Sequence, residues 1–242
     1  MPRCRFTRGM AFSVSNAITA AAFLSGPTVG LHGETWVGQI SLEDPLTAMV
    51  QIVLIRPGST DYDEQGRIQG TLDIPLSNQG SVEVQGIVRQ LEGKGITAVY
   101  SSSCCCAKQT AEAVAAALGV KARTLDKLQN LDHGLWQGML LEEVRRKQPR
   151  VYRQWQEQPA SICPPEGEML VEAQERVQAA VNKLLKKHKD GKIAIVMPEP
   201  LASIAHCLLA GTDVCDLWKA DAARGSWEVL AVQPATLAHA VD

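Results

Sequence analysis

The residues of this chain that could do chemistry begin at Arg56. An apolar run, Val50 to Ile55, delivers the chain to Arg56-Pro57-Gly58-Ser59-Thr60. A guanidinium at a strand end, followed by a glycine turn, is suited to holding a phosphate, since the arginine forks onto two oxygens and turn amides supply further donors. Pro57 interrupts that arrangement, because its ring nitrogen carries no proton to donate. Three consecutive cysteines, Cys104 to Cys106, offer thiols, but no cysteine is followed six residues later by an arginine; Glu112 stands at that distance from Cys106. A thiolate nucleophile with an arginine cradle is therefore not encoded. Lys108, two residues past the cysteines, could assist Arg56 with an anion. Glu199, after another apolar run, could instead pair with Arg56 and fill the space from inside. His133 and His206 could act as nucleophiles. His206 lies in the apolar helical pattern "ASIAHCLLAG", which reads as a core or helix-face histidine.

The elements that must position these residues follow from periodicity. Residues 50–55 read as a strand buried on both faces, and 96–102 and 192–197 repeat that pattern. "SWEVLAV", 226–232, reads as a fourth buried strand. Between them lie helical patterns. One covers 77–92, with Ser77 as cap and Val82, Ile87, Val88 and Leu91 as its apolar face. Others cover 107–119, ending at Gly119, a charged stretch at 140–158 and a long amphipathic stretch at 167–191 with a basic C-terminal end. A short strand is expected near 121–125. Alternating strands and helices imply an α/β, three-layer architecture with a mostly parallel sheet and helices on both faces. In such sheets ligands bind beyond the carboxyl ends of the strands, where Arg56 and Pro198 both fall.

Composition limits the function classes. The chain has 242 residues, 45% hydrophobic, 21% charged, and a net charge of -2. A packed core is expected, and nothing in the charge balance calls for nucleic acid or an acidic membrane. The basic run Arg145-Arg146-Lys147 reads as a solvated helix face. No apolar run reaches the roughly 20 residues that span a bilayer. Seven cysteines at irregular spacing do not make a disulfide framework, so a reducing, cytoplasmic compartment is expected. The triple cysteine reads as small packing residues at a strand-to-helix turn, without zinc-ligand spacing. Residues 1–47 read as an N-terminal extension. Arg3, Arg5 and Arg8 before a diluted apolar stretch also permit a weak secretory signal. The main domain is expected over 48–235, with a tail at 236–242.

Five segments, in order, are similar to the histidine phosphatase superfamily, the phosphoglycerate-mutase-like proteins. "LIRPGSTDYDEQGRIQGTLDIPLSNQG" resembles the opening strand, Arg-His-Gly turn and following Gln-Gly, Asp and Pro-Leu segment. "YSSSCCCAKQTAEAVAAALG" resembles the Ser-Ser turn and Gln-Thr-Ala-Glu helix. "LDHGLWQGMLLEEV" resembles the Gly-x-Trp-Glu-Gly segment, "EGEMLVEAQERV" the Gly-Glu-Ser helix start, and "IAIVMPEP" the strand that ends in Ser-His-Gly. The resemblance covers about residues 50–232 and implies the phosphoglycerate mutase-like fold.

It also implies a chemistry that can be checked residue by residue. In that family a neutral histidine attacks phosphorus, two arginines and a second histidine hold the phosphoryl oxygens, and a carboxylic acid protonates the leaving group. By the resemblance the nucleophile falls at Pro57 and the second histidine at Pro198. The second arginine falls at Cys106 and the acid at Asn130; only Arg56 is retained. A proline amide nitrogen has no usable lone pair, a thiol cannot fork onto two oxygens, and a carboxamide has no acidic proton. Losing a nucleophile alone typically costs on the order of 10⁴–10⁶ in rate. No catalytic residue of the family is thus intact. The expectation is a catalytically degenerate protein, a pseudophosphatase, that binds a protein partner or a small anionic ligand and needs no metal or cofactor. Gly58, Lys108, His133 and Glu199 are the remaining pocket candidates. An active phosphomonoesterase or mutase with relocated residues, and a non-catalytic binder of a phosphorylated or acidic metabolite, are the alternatives.

Overall fold

A computed structural model describes residues 50–212 and 224–232. The expectations for 1–47 and 236–242 lie outside the described residues. Five strands form one sheet in the order β3-β2-β4-β1-β5. In chain order, β1 is Val50–Ile55, β2 Ile96–Ser101, β3 Ala122–Thr124, β4 Lys192–Val196 and β5 Trp227–Val232. β1, β2, β3 and β4 run parallel. β5 runs antiparallel beside β1. It is an edge strand of the described sheet, and only Val232 along it is fully buried. The expectation of a fourth buried strand at 226–232 is therefore corrected: with β1 on one side only, its residues stay partly exposed.

The helices are α1 (Asp61–Glu64), α2 (Asn78–Leu91), α3 (Cys105–Leu118), α4 (Leu141–Lys147), α5 (Pro149–Glu157), α6 (Leu170–Lys187) and α7 (Leu201–Ala210). The period-2 geometry of strands assigns alternate β1 residues to opposite layers. Ile52 and Leu54 join Tyr100, Ile193 and Ile195 in a core with α6 and α7. Val53 and Ile55 join Val99, Ala194 and Val196 in a second core with α2 and α3. The result is the three-layer, mostly parallel sheet that the alternating pattern implies.

Local chemistry explains the element ends. The Ser77 hydroxyl accepts a hydrogen bond from Gly80 N at 3.0 Å, satisfying an orphan amide of α2. The buried face of that helix is Gly80, Val84, Ile87 and Leu91, spaced four, three and four apart. Val82 falls off this stripe and is exposed, so its placement on the apolar face is corrected to Val84. Helix α3 ends at Gly119 in the left-handed conformation that a glycine adopts without strain. Residues 140–158 form two helices rather than one. Gln148 leaves the helical region, as a residue before proline tends to do, and Pro149 opens α5. Residues 167–169 and 188–191 lie outside α6, which starts where Glu172 accepts from the Met169 amide at 3.0 Å.

Two glycines set how closely the Arg56 turn approaches α2. A Cβ on Gly58 would clash with the Gly80 backbone, and a Cβ on Gly80 with the Ser59 carbonyl. Gly86, on the same helix, has open space around it. Gly80→Ala is expected to lower stability by about 1–3 kcal/mol through overpacking. Gly86→Ala is expected to raise it by about 0.5–1 kcal/mol through helix propensity. Urea midpoints of the two variants, at unchanged slope, check the pair.

Candidate functional site

The parallel register brings the strand ends together. Ile55 stands opposite Val196, Met197 N donates to Ile55 O at 2.9 Å, and Ser102 N donates to Val196 O at 2.9 Å. Arg56, Ser102 and Pro198 thus emerge side by side at the carboxyl edge. Helix α7 begins three residues past Pro198, at Leu201.

Arg56 is the centre of this edge, and both of its described side-chain partners are carboxylates. Nε donates to Glu199 Oε1 at 2.6 Å, and the first terminal nitrogen donates to Glu228 Oε1 at 2.8 Å. The Arg56 and Glu199 side chains are only 11% and 7% exposed. Burial pulls the Arg56 pKa down, but the two carboxylates outweigh burial and hold the guanidinium charged beyond its ordinary range. Glu199 Oε2 also accepts from Ser203 N, in the first turn of α7, at 3.2 Å. The Glu199 carboxylate therefore takes both an arginine and a helix N-terminus, the two donor types that suit a phosphate oxygen. Glu228 Oε2 also lies 2.9 Å from His206 Nδ1 on the face of α7, a close approach that lacks hydrogen-bond geometry.

The other candidates are closed into the structure. Pro57 and Pro198 are buried, and their carbonyls accept from Gly225 N and Ala202 N. Asn130 is buried with its amide satisfied on every side: Nδ2 donates to Gly70 O and to Glu199 O at 3.0 Å each, and Oδ1 accepts from Leu131 N at 2.9 Å. Cys106 is buried, with its sulfur beside Gln69 Nε2 at 3.7 Å and Cys104 Sγ at 3.6 Å. Gly58 is spent on the close approach to Gly80.

A cavity of about 640 Å³ lies beside this corner. Pro57, Gly58, Cys106, Lys108, Asn130 and Pro198 are not among its walls. Glu199 and His133 are. The expectation that Gly58 and Lys108 face a pocket with Arg56 is therefore corrected: the Glu199 side chain stands in the corner that such a pocket would need. The remaining walls include Asp63, Arg67, Gln69, Trp155 and Arg224, of which only the Gln69 segment was legible as a motif. The cations of the wall are engaged internally. Arg224 pairs with Asp63 at 2.7 Å, and Arg67 donates to Gly138 O at 2.7 Å and Gln65 Oε1 at 2.8 Å. The acid Glu228, within an apolar strand pattern, was a signal that sequence reasoning left unused; an unexplained carboxylate in a strand asks for a cation nearby.

His133 is 2% exposed, its ring lies 5.7 Å from that of Trp155, and Nδ1 is 3.2 Å from Leu131 O. Burial drives its pKa down to about 4. Among the described residues no group of three His, Cys, Asp or Glu side chains could hold a metal ion.

Two consequences are measurable. Arg56→Ala leaves Glu199 buried without its counter-charge and is expected to cost about 3–5 kcal/mol in urea unfolding. His133 is neutral in the fold but protonates near 6.5 when unfolded. Its contribution is complete above pH 6.5 and declines as pH falls toward 4, by up to ~1.4 kcal/mol per pH unit. Unfolding of wild type and His133→Phe across pH 7.5–4.5 checks this, with the variant showing the shallower decline.

The same fold occurs in known proteins. The chain matches the histidine phosphatase superfamily (branch 1) over residues 52–239. Phosphoserine phosphatase 1 of Hydrogenobacter thermophilus is 29% identical over 182 residues, covering 75% of this chain and 86% of that protein. Phosphoglycerate mutase-like protein 4 of Arabidopsis thaliana is 30% identical over 149 residues, covering 60% of this chain and 65% of its own length. Among solved structures, Bacillus stearothermophilus YhfR superposes with a TM-score of 0.68 at 24% identity, over 74% of this chain and 90% of that one. A mycobacterial glucosyl-3-phosphoglycerate phosphatase in complex with VO3 superposes at 0.67 and 24% identity, over 74% and 91%. At that identity the superpositions speak for the fold alone. The match over residues 52–239 goes further, and on it the chain belongs to the histidine phosphatase superfamily, branch 1.

Proposed function

We propose that this chain is a superfamily member that keeps the fold without the phosphoryl-transfer reaction, and that it works by binding. The observation that carries the reading is the Glu199 carboxylate held by Arg56 Nε at 2.6 Å and by Ser203 N at 3.2 Å. A phosphoryl group needs those donors for the charge that builds on its oxygens, and an internal acid already takes them. The residues around that corner add to the argument. Pro57 and Pro198 offer no nucleophilic nitrogen, Cys106 no guanidinium, and Asn130 no acidic proton. The reading extends to a reducing compartment, since Cys104, Cys105, Cys106 and Cys163 all carry free thiols. Among the described residues no helix is long and apolar enough to cross a membrane.

The cavity favours a small molecule as one class of ligand. Its volume of about 640 Å³ lies in the range of small-molecule sites. Trp155, Ile68, Leu140 and Leu141 supply apolar wall, while Arg67 and Arg224 are already engaged. A phosphate ester therefore meets no uncommitted cation among the described walls, and a neutral or weakly acidic metabolite suits the space better. A protein partner on the outer helices is the other binding role. An active phosphomonoesterase remains the rival, since the similar protein from Hydrogenobacter thermophilus is named a phosphoserine phosphatase.

Turnover decides between these. Wild-type protein is expected to hydrolyse p-nitrophenyl phosphate and phosphoserine at the buffer rate, and to show no phosphorylated histidine by mass spectrometry after incubation with either. Turnover that disappears in Arg56→Ala, or a phosphohistidine adduct, overturns the reading. Restoring Pro57→His and Pro198→His together is expected to leave the protein inactive, because Glu199 still occupies the donors; adding Glu199→Gly is the step that admits phosphate, read as a thermal shift with vanadate.

A further inference from the structure

The triple cysteine reads as small packing residues, and Cys104 and Cys106 are indeed buried in the core with α2 and α3; the structure also brings their two sulfurs together. Cys104 is the N-cap of the 14-residue helix α3, and Cys106 lies in its first turn. Cys104 Sγ and Cys106 Sγ are 3.6 Å apart, while the intervening Cys105 is turned to a half-exposed position. Residues two apart near a helix start have Cα atoms about 5.5 Å apart by helix geometry, inside the ~4.4–6.8 Å window that a disulfide accepts. We propose that Cys104 and Cys106 form a reactive dithiol, and that a small disulfide oxidant converts it to an intramolecular Cys104–Cys106 bond.

The surroundings assign the roles. Either sulfur can donate across the 3.6 Å contact; with the Cys106 thiol as donor, that hydrogen bond lowers the Cys104 pKa against the effect of burial. Cys104 sits at the N-terminus of α3 and is the less deeply buried of the two, 5% exposed against 1% for Cys106, so it is the sulfur that meets the oxidant and attacks as thiolate. Cys106, which supplies the proton, is pushed up by that hydrogen bond and by burial. Cys105 is pushed up by burial and by Asp73, whose carboxylate accepts from Cys105 N at 2.6 Å. With glutathione disulfide as oxidant, the Cys104 thiolate attacks one sulfur, the oxidant's S–S bond breaks, and a glutathione thiolate leaves. Cys106 is then relieved of its thiolate neighbour. It passes its proton to solvent and attacks Cys104 Sγ, and the second glutathione leaves as thiolate. The protein loses two protons and two electrons, the equivalent of two hydrogens, and one glutathione disulfide becomes two glutathiones. Closing the sulfurs from 3.6 Å to the ~2.05 Å of a bond shifts Cys106 Sγ relative to Gln69 Nε2, now 3.7 Å away. Gln69 is a wall of the cavity, so the oxidation state reaches that site.

Titration of the full chain with glutathione disulfide at neutral pH, followed by alkylation and tandem mass spectrometry, tests this. Exposed Cys163 serves as the control that the reagent is active. The expected product is a Cys104–Cys106 cross-link with the loss of two hydrogens, reversed by dithiothreitol, abolished in Cys104→Ser and in Cys106→Ser, and retained in Cys105→Ser. A cross-link lost in Cys105→Ser overturns the proposal. So does a stable glutathione adduct on Cys104, or a chain modified at Cys163 with all three neighbouring thiols still free. None of these outcomes depends on whether the protein turns over phosphate esters.

Discussion

The ion pair between Arg56 and Glu199 is the constraint around which the carboxyl edge of the sheet is organised. A guanidinium placed there by β1 is 11% exposed and must have counter-charge. Glu199 and Glu228 supply it from two further elements, the start of α7 and the edge strand β5. Desolvating such ions costs several kcal/mol apiece, and the pair holds because the remaining acceptor sites are also used. Ser203 N donates to one Glu199 oxygen, and His206 Nδ1 lies 2.9 Å from one Glu228 oxygen. The network therefore links β1, α7 and β5 by charge where hydrophobic packing alone would leave the strand ends free.

This arrangement separates two things that the fold usually delivers together. The three-layer sheet delivers a basic residue, a helix N-terminus and a converging set of loops to one place. Whether a ligand anion is bound there depends on who arrives first with negative charge. Here the anion is part of the chain. On the proposed reading this single carboxylate, more than the missing nucleophile, explains why nucleophile replacement alone would not revive the reaction. The cavity that survives lies to the side of the corner, where Asp63 engages Arg224 and the apolar faces of Trp155 and Leu140 remain.

The thiol pair at the start of α3 shows the same dependence on placement. The resemblance puts Cys106 where the family has a second arginine, at a turn directed toward the strand ends. A thiol in that position cannot hold phosphate, but it lies against another thiol and against Gln69. The proposed chemistry there is one that an arginine would not support.

Much of the fold was legible in the sequence because it rests on local periodicity. Apolar runs of strand length, the Ser77 cap, the Gly119 stop and the alternation of strand and helix patterns each act through nearest neighbours. The ordered segments from "LIRPGST" to "IAIVMPEP" identified the superfamily for the same reason: their spacing is written along the chain. Proline at 57 and 198 was also fully legible, since the lack of a nucleophilic nitrogen in a proline is a property of residue type. What the tertiary structure decided was every matter of pairing. That β5 is an antiparallel edge and that Glu228 completes the Arg56 site both depend on elements far apart in sequence. Cys104 and Cys106 are neighbours in the chain, yet their contact depends on the backbone turn between them. Residue types determine which chemistry is possible; the distances that select among those possibilities exist only once the strands and helices have packed.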